Sequence, residues 1–311
     1  MDLAPLVLLA IFGLQKAIPI AIAADGELIT EKSGILNIGI WGVMALGAFT
    51  AAVVNYQLGS SAGASAPYIA LVAAMLTGVV VNLIFAMFAT KIHVDQVIAG
   101  IGINIFALGL TETLLDKYYT LDGTPLARYT VAPLVTIGGL PYGLTISVSP
   151  LMAVMFVLPV VVFLFLARTT LGLHIKAVGE NPRAAEAAGL DVAKTRMIAT
   201  GIGGALLAMG GAYFTIDFNP NFTPDISSSV IPAFIALSAV IAGGWKPGLV
   251  LGMSLIFGAS TGVQYVVQGT LPTSYFFLVQ MLPYLATVAA LSVASKRLRP
   301  PAALAVPYTK E

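Results

Sequence analysis

The chain has 311 residues, of which 58% are hydrophobic and only 9% are charged. Soluble domains carry about 25% charged residues, so too little polar surface remains here to cover a water-soluble fold. The formal net charge is +1 and there is no Cys, which excludes a disulfide framework, a thiolate metal site and a cysteine nucleophile. The composition predicts an all-α, polytopic transmembrane helix bundle.

Apolar segments recur along the whole chain at the length that a bilayer requires. A membrane-spanning helix needs about 20 apolar residues, and charges or clusters of Pro and Gly mark the ends of such runs. In chain order the candidates are 3–24, 35–54, 67–90, 94–115, 149–167, 197–216, 226–245, 248–268 and 274–294. The seventh contains Pro232 and is typical of a broken helix, so about nine crossings are predicted, within a range of eight to ten. Segment 131–148 is uncharged but rich in Gly, Pro, Ser and Thr, and we expect an outer loop or a re-entrant piece.

The basic residues predict the orientation of the bundle. Twelve Lys and Arg fall in loops 25–34, 91–93 and 168–196, at position 246 and in the tail 295–311, whereas the opposite loops hold two. Basic loops stay on the cytoplasmic side, so the N-terminus is predicted outside and the C-terminus inside.

This topology predicts a single transmembrane domain over 1–311. A cytoplasmic loop at 168–196 and a cytoplasmic tail at 296–311 belong to that domain. Thr30-Glu31-Lys32-Ser33 is expected to be a solvated part of the first inner loop.

The inner loop 168–196 contains a helix too short to span a membrane. Asn181 can cap the first free N–H groups, Pro182 suits the first helical position and Gly189 favours a left-handed end. The residues between them have high helix propensity: Arg183, Ala184, Ala185, Glu186, Ala187 and Ala188. Two interpretations are open: a helix lying against its own membrane face, or a coupling helix that docks into a separate ATPase.

Four stretches, in the same order as in the family, resemble ABC-importer permeases of the ribose, nucleoside and branched-chain amino acid group. The loop 168–196 is similar to the coupling loop of that family. Residues 26–39 are similar to its first inner loop and second helix, and 94–100 to the start of another helix. The tail 299–308 resembles the ending common in the nucleoside and simple-sugar subgroup. Trp41 is a departure, because many relatives carry an acidic residue there.

The resemblance implies a transport machine in a prokaryotic cell membrane. Its other parts would be a second permease subunit, for which the subgroup suggests a paralogue, ABC ATPase subunits that bind ATP–Mg, and an extracytoplasmic substrate-binding protein. No nucleic acid partner is expected. The implied contact surface for the ATPase is Glu180, Asn181, Pro182, Arg183, Ala184, Ala185, Glu186, Ala187, Ala188 and Gly189. The chain has no G-x-x-x-x-G-K-[ST] phosphate loop, so we expect no cofactor in it and ATP hydrolysis only in the partner.

Neutral polar side chains inside the apolar segments are candidates for a substrate pathway. They are Asn37, Trp41, Asn82, Asn104 and Gln264. Each Asn either makes an interhelical hydrogen bond or lines a polar path. A neutral lining suits an uncharged polyhydroxyl solute, with a nucleoside as first choice and a simple sugar next.

Two competing function classes are less well supported. No H-E-x-x-H, no G-x-S-x-G and no buried carboxylate pair at useful spacing is recognisable, so neither a catalytic nor a metal site is expected. A secondary transporter driven by an ion gradient is the alternative, but we see no clear duplication and no midplane Asp or Glu.

Overall fold

The computed structural model describes residues 4–119, 129–138, 146–218, 222, 232–267, 273–294 and 299–309. Within these ranges the chain is almost wholly helical. Its helices are α1 (Ala4–Lys32), α2 (Ile40–Ala62), α3 (Ala66–Met87), α4 (Gln96–Tyr119), α5 (Pro150–Arg168), α6 (Thr170–Glu180), α7 (Pro182–Ala187), α8 (Val192–Tyr213), α9 (Ala233–Ala242), α10 (Pro247–Val267), α11 (Thr273–Gln280) and α12 (Leu282–Ala294). Single π turns follow α3 at Phe88–Ile92 and α8 at Phe214–Phe218.

Six stretches of the described chain are long and apolar enough to cross a membrane. They are Val7–Lys32, Ile40–Ile92, Gln96–Tyr119, Pro150–Arg168, Val192–Phe218 and Pro247–Gln264, with shorter apolar helices at Ala233–Ala242 and Leu278–Val293. The second stretch contains both α2 and α3, and a Thr50–Thr77 hydrogen bond of 3.3 Å joins these helices across their turn. The multi-pass character is therefore supported. The number of about nine crossings, the positions of the termini and the single-domain boundaries stay predictions.

A short pair of strands is the exception to the nearly all-α fold. β1 (Val135–Ile137) pairs antiparallel with β2 (Ile146–Val148), so that Val135 lies opposite Val148. These strands fall in the segment expected to be an outer loop or a re-entrant piece. Five of the six strand residues are β-branched, and such side chains favour extended backbone.

Helix α8 lies at the centre of the bundle and α4 at its edge. In their most apolar stretches, 78% of the residues are buried in α8 but only 17% in α4. Glycines allow the close contacts of α8, because small residues let membrane helices approach at backbone distance. A Cβ on Gly211 would lie 2.0 Å from the Met44 carbonyl oxygen of α2, and one on Gly203 would lie 2.6 Å from the Gly26 oxygen of α1.

The prediction of a solvated loop at 30–33 is wrong. Helix α1 continues through Lys32, and Thr30, Glu31 and Ser33 are fully buried. The irregular segment comes later, at 34–39, before α2 begins at Ile40. Burial of Glu27 and Glu31 is aided by hydrogen-bond donors inside the protein, the Asn37 backbone amide and the Trp245 indole.

Two predicted crossings differ from a single long helix in their described residues. In segment 226–245 the described helix is Ala233–Ala242, followed by a turn at 243–245, whereas 223–231 lies outside the described residues. Segment 274–294 is divided at Met281 into α11 and α12. Helix α9 begins at Ala233, directly after Pro232, and whether segment 226–245 is a broken helix stays a prediction.

Candidate functional site

The loop 168–196 folds into α6, α7 and the start of α8, and a polar residue caps each helix. Thr169 Oγ1 accepts a hydrogen bond from the Gly172 amide (3.0 Å) and Asp191 Oδ1 from the Lys194 amide (2.9 Å). Asn181 Oδ1 accepts from the Ala184 amide at 3.0 Å, immediately before Pro182 opens α7. The predicted start of the short helix is therefore confirmed, and its cause is local: side-chain oxygens satisfy otherwise unpaired amides.

Helix α7 is anchored on one side and open on the other. Its end is closed by Gly189 at φ 88°, a left-handed conformation that favours glycine, and by a 3.0 Å bond from the Leu190 amide to the Ala185 oxygen. Ala185 is the residue of α7 that is buried, and it packs with Val178 and Val192. The exposed residues of the loop around it are Glu180, Asn181, Arg183, Ala184, Ala187, Ala188 and Gly189. Small side chains on an exposed helical surface leave room for a partner to pack closely.

The loops and the tail that carry most of the basic residues meet at one end of the bundle. The Ala303 amide donates to the Gly179 oxygen at 2.9 Å, and the Ala305 amide donates to the Gly34 oxygen at 3.0 Å. His93 Nε2 lies 3.1 Å from the backbone oxygen of Tyr308. The first turn, the turn after α3, the loop with α7 and the tail thus form one assembly. Which side of the membrane it faces stays a prediction.

Arg196, in the first turns of α8, joins three of these segments. The side chain is only 2% exposed. Its Nε donates to the Ser33 oxygen at 3.2 Å, and its Nη1 donates to the Val306 oxygen at 3.3 Å. A guanidinium suits this position because its rigid fork of donors can serve several carbonyl oxygens at once.

The predicted pathway amides lie in a hydrogen-bond network around the irregular segment 34–39. Asn37 Nδ2 donates to Asn82 Oδ1 at 3.2 Å, and Asn82 Nδ2 donates to the Thr200 oxygen of α8 at 3.0 Å. Both Asn side chains are fully buried. The two amides therefore connect the first turn to α3 and α8.

Asn104 of α4 holds the start of α2. Its Oδ1 accepts from the Gly42 amide at 2.8 Å, and its Nδ2 donates to the Ile38 oxygen at 3.0 Å. Trp41 is half-buried beside the main core, whereas Gln264 lies on α10 and donates from Nε2 to the Gln280 oxygen at 3.3 Å. The structure thus joins Asn37 and Asn82 directly. Asn104 binds the backbone of the chain segment 37–42, which begins at Asn37. A role of any of the five in substrate contact stays a prediction.

Three buried carboxylates on α1 were missed by the sequence analysis. Asp25, Glu27 and Glu31 are at most 1% exposed, which corrects the expectation that no buried carboxylate pair exists. Glu27 Oε1 accepts from the Asn37 amide at 3.1 Å, and Glu31 accepts from the Trp245 indole. The available signal was the i, i+4 spacing of Glu27 and Glu31, which places both on one helix face. Among the described residues, no three His, Asp or Glu side chains could hold a metal ion together.

Comparison with known families identifies the chain. The family described as the permease component of the branched-chain amino acid transport system matches residues 9–288. The chain belongs to this family. The match confirms the resemblance inferred from the four stretches, and it fits a transport role for the permease without a catalytic reaction of its own.

Named relatives of the permease are ABC transporter subunits. Guanosine ABC transporter permease protein NupQ of Bacillus subtilis is 32% identical over 310 residues, which cover 96% of this chain and 95% of NupQ. Nucleoside ABC transporter permease protein NupC of Lactococcus lactis is 29% identical, covering 94% of this chain and 93% of NupC. Glucose ABC transporter permease protein TsgB13 of Haloferax volcanii is 27% identical, covering 85% and 76%.

Proposed function

We propose that this permease is the membrane-spanning subunit of an ATP-driven ABC importer for a small neutral polar solute, a nucleoside or a simple sugar. The observation that carries the proposal is the similarity to a guanosine permease over almost the whole of both chains. The relatives named for nucleosides and glucose define the two solute classes. The neutral amides Asn37, Asn82 and Asn104 inside the bundle are consistent with an uncharged substrate.

The importer that we propose contains four kinds of part. A second permease subunit, a paralogue of this chain, completes the pathway, and an extracytoplasmic binding protein delivers the solute. ATPase subunits bind ATP–Mg and supply the energy. The assembly lies in a prokaryotic cell membrane with the α7 end in the cytoplasm, as the positive-inside rule favours.

In this proposal, α7 is the coupling helix. Its exposed Ala surface docks into the ATPase, and its buried Ala185 contacts Val192 at the start of α8. Helix α8 in turn touches α1, α2 and α3 at backbone distance through its glycines. A displacement of α7 is therefore transmitted to the centre of the bundle, because close-packed helices move as rigid elements.

A transport assay tests the function. The permease is reconstituted into proteoliposomes with the subunits that co-purify with it, and uptake of radiolabelled guanosine, ribose and glucose is measured with ATP or a non-hydrolysable analogue. We expect uptake of a nucleoside or a sugar only with hydrolysable ATP. Uptake that persists without any ATPase subunit would refute the proposal in favour of an ion-gradient transporter.

Docking of α7 is tested with one bulky substitution and a matched control. Ala184→Trp places an indole on the exposed surface of α7, and Ala64→Trp does the same at an exposed turn between α2 and α3. We expect Ala184→Trp to weaken ATPase binding about tenfold, which corresponds to about 1.4 kcal/mol, with normal membrane insertion. Equal binding by both variants would remove α7 from the contact.

A further inference from the structure

In the described part of the C-terminal tail, residues 299–309, there is no regular secondary structure beyond a turn at 302–305, yet the backbone is held at several points. Its amides bond to Gly179 at the end of α6 and to Gly34 after α1, and the Val306 oxygen accepts from Arg196 of α8. Three separate elements therefore fix one short peptide. Hydrogen bonds to the backbone at so many points define its path independently of side-chain packing.

Tyr308 connects this peptide to α7. Its hydroxyl donates to the Glu186 carboxylate. Its ring packs on the small cluster in which Ala185 of α7 meets Val178 and Val192. Its backbone oxygen lies 3.1 Å from His93 Nε2, in the turn after α3. Tyr308 therefore lies between α7 and the body of the bundle.

Helix α7 needs such support because it is only six residues long. An isolated helix of this length is marginal in water, since too few hydrogen bonds offset the cost of nucleation. Its N-terminal cap and its glycine end define where it starts and stops, but they do not fix its orientation. Ala185 contributes only a methyl group to the cluster, whereas Tyr308 contributes a ring and a hydrogen bond to a charged acceptor, the stronger kind.

We propose that residues 299–309 form a strap that positions α7, with Tyr308 as the positioning residue. The inference rests on the proposed function, because it assigns the strap a part in coupling. The strap joins α7 to the turn after α1 and to Arg196 of α8. A movement of α7 therefore reaches the two most enclosed helices together and is not lost in local bending of the loop.

Coupling is tested with variants at position 308 in the reconstituted importer. The measured quantity is the number of substrate molecules imported per ATP hydrolysed. Tyr308→Ala removes ring and hydroxyl and is expected to lower this ratio about tenfold, the factor that corresponds to about 1.4 kcal/mol. Tyr308→Phe keeps the ring, and its ratio is expected to lie between that of the unmodified importer and that of Tyr308→Ala. Tyr118→Ala, at an exposed tyrosine near the end of α4, is the control and is expected to leave the ratio unchanged.

The position of α7 is measured in the permease alone. The chain has no Cys, so Ala187→Cys and Leu249→Cys introduce a unique pair for spin labels, and both positions are exposed. We expect the distance distribution to broaden with Tyr308→Ala and not with Tyr118→Ala. An unchanged distribution with Tyr308→Ala overturns the strap whatever the transport assay gives. Uptake without an ATPase would instead overturn the proposed function. The two failures are distinguishable, because the distance measurement does not involve the ATPase.

Discussion

The contact of Gly78 with α8 gives a quantitative prediction about the packing of the bundle. A Cβ on Gly78 would lie 2.1 Å from the Gly204 oxygen, and Cβ contacts under 3.0 Å essentially never occur. Gly78→Ala must therefore displace α3 from α8 by 0.9 Å, from 2.1 to 3.0 Å. Overpacking of this kind costs about 1–3 kcal/mol. Asn82 lies one turn after Gly78 on α3, so the same displacement stretches the hydrogen bond from Asn82 to the Thr200 oxygen. A hydrogen bond between membrane helices contributes about 0.6–1.7 kcal/mol.

Against this loss stands the helix propensity of Ala, which exceeds that of Gly by about 1 kcal/mol. The net expectation is a loss of about 1–3 kcal/mol, or a fall of about 5 °C in apparent melting temperature at about 2–4 °C per kcal/mol. The assay is the fraction of detergent-solubilised permease that stays monodisperse on size exclusion after heating. Gly102→Ala is the control, because nothing lies within 4 Å of a Cβ there. Equal melting of the two variants would refute the close α3–α8 contact.

Two further substitutions test the buried polar groups by the same assay. Asn82→Ala leaves the Asn37 amide and the Thr200 oxygen without their partner, and we expect a loss of about 1–3 kcal/mol; lost uptake with unchanged melting would instead assign Asn82 to the substrate path. Trp245→Phe removes the donor to Glu31 and is expected to cost about 1.5–3 kcal/mol. In a Glu31→Leu background, Trp245→Phe should be nearly neutral, since the acceptor is gone. An equal loss of stability in both backgrounds would contradict a stabilising Trp245–Glu31 hydrogen bond.

Features that depend on neighbouring residues were predictable from the sequence. The limits of α7 follow from Asn181, Pro182 and Gly189, because each acts on the backbone of its own segment. The apolar runs that form the long helices were found for the same reason, although α1 extends eight residues beyond its predicted end, from 24 to 32.

Features that depend on distant partners were not predictable. The charges at Glu27 and Glu31 indicate solvent when the chain is read in order, yet their donors are the Asn37 amide and the Trp245 indole. Trp245 is 214 residues away from Glu31, so no local pattern announces the pair. The same holds for the amides of Asn82 and Asn104, whose hydrogen-bond partners lie in distant segments of the chain.

The strap also has a consequence for biogenesis, because residues 299–309 are translated after every helix that they fasten. The loop with α7 ends at Arg196, and the 102 residues 197–298 separate it from Arg299. At about 5–20 residues per second, roughly 5–20 seconds pass between synthesis of the loop and arrival of the strap. A nascent permease therefore has an unfastened α7 during that interval. In the importer proposed above, the order of translation would delay docking of the ATPase until the transmembrane helices have been made.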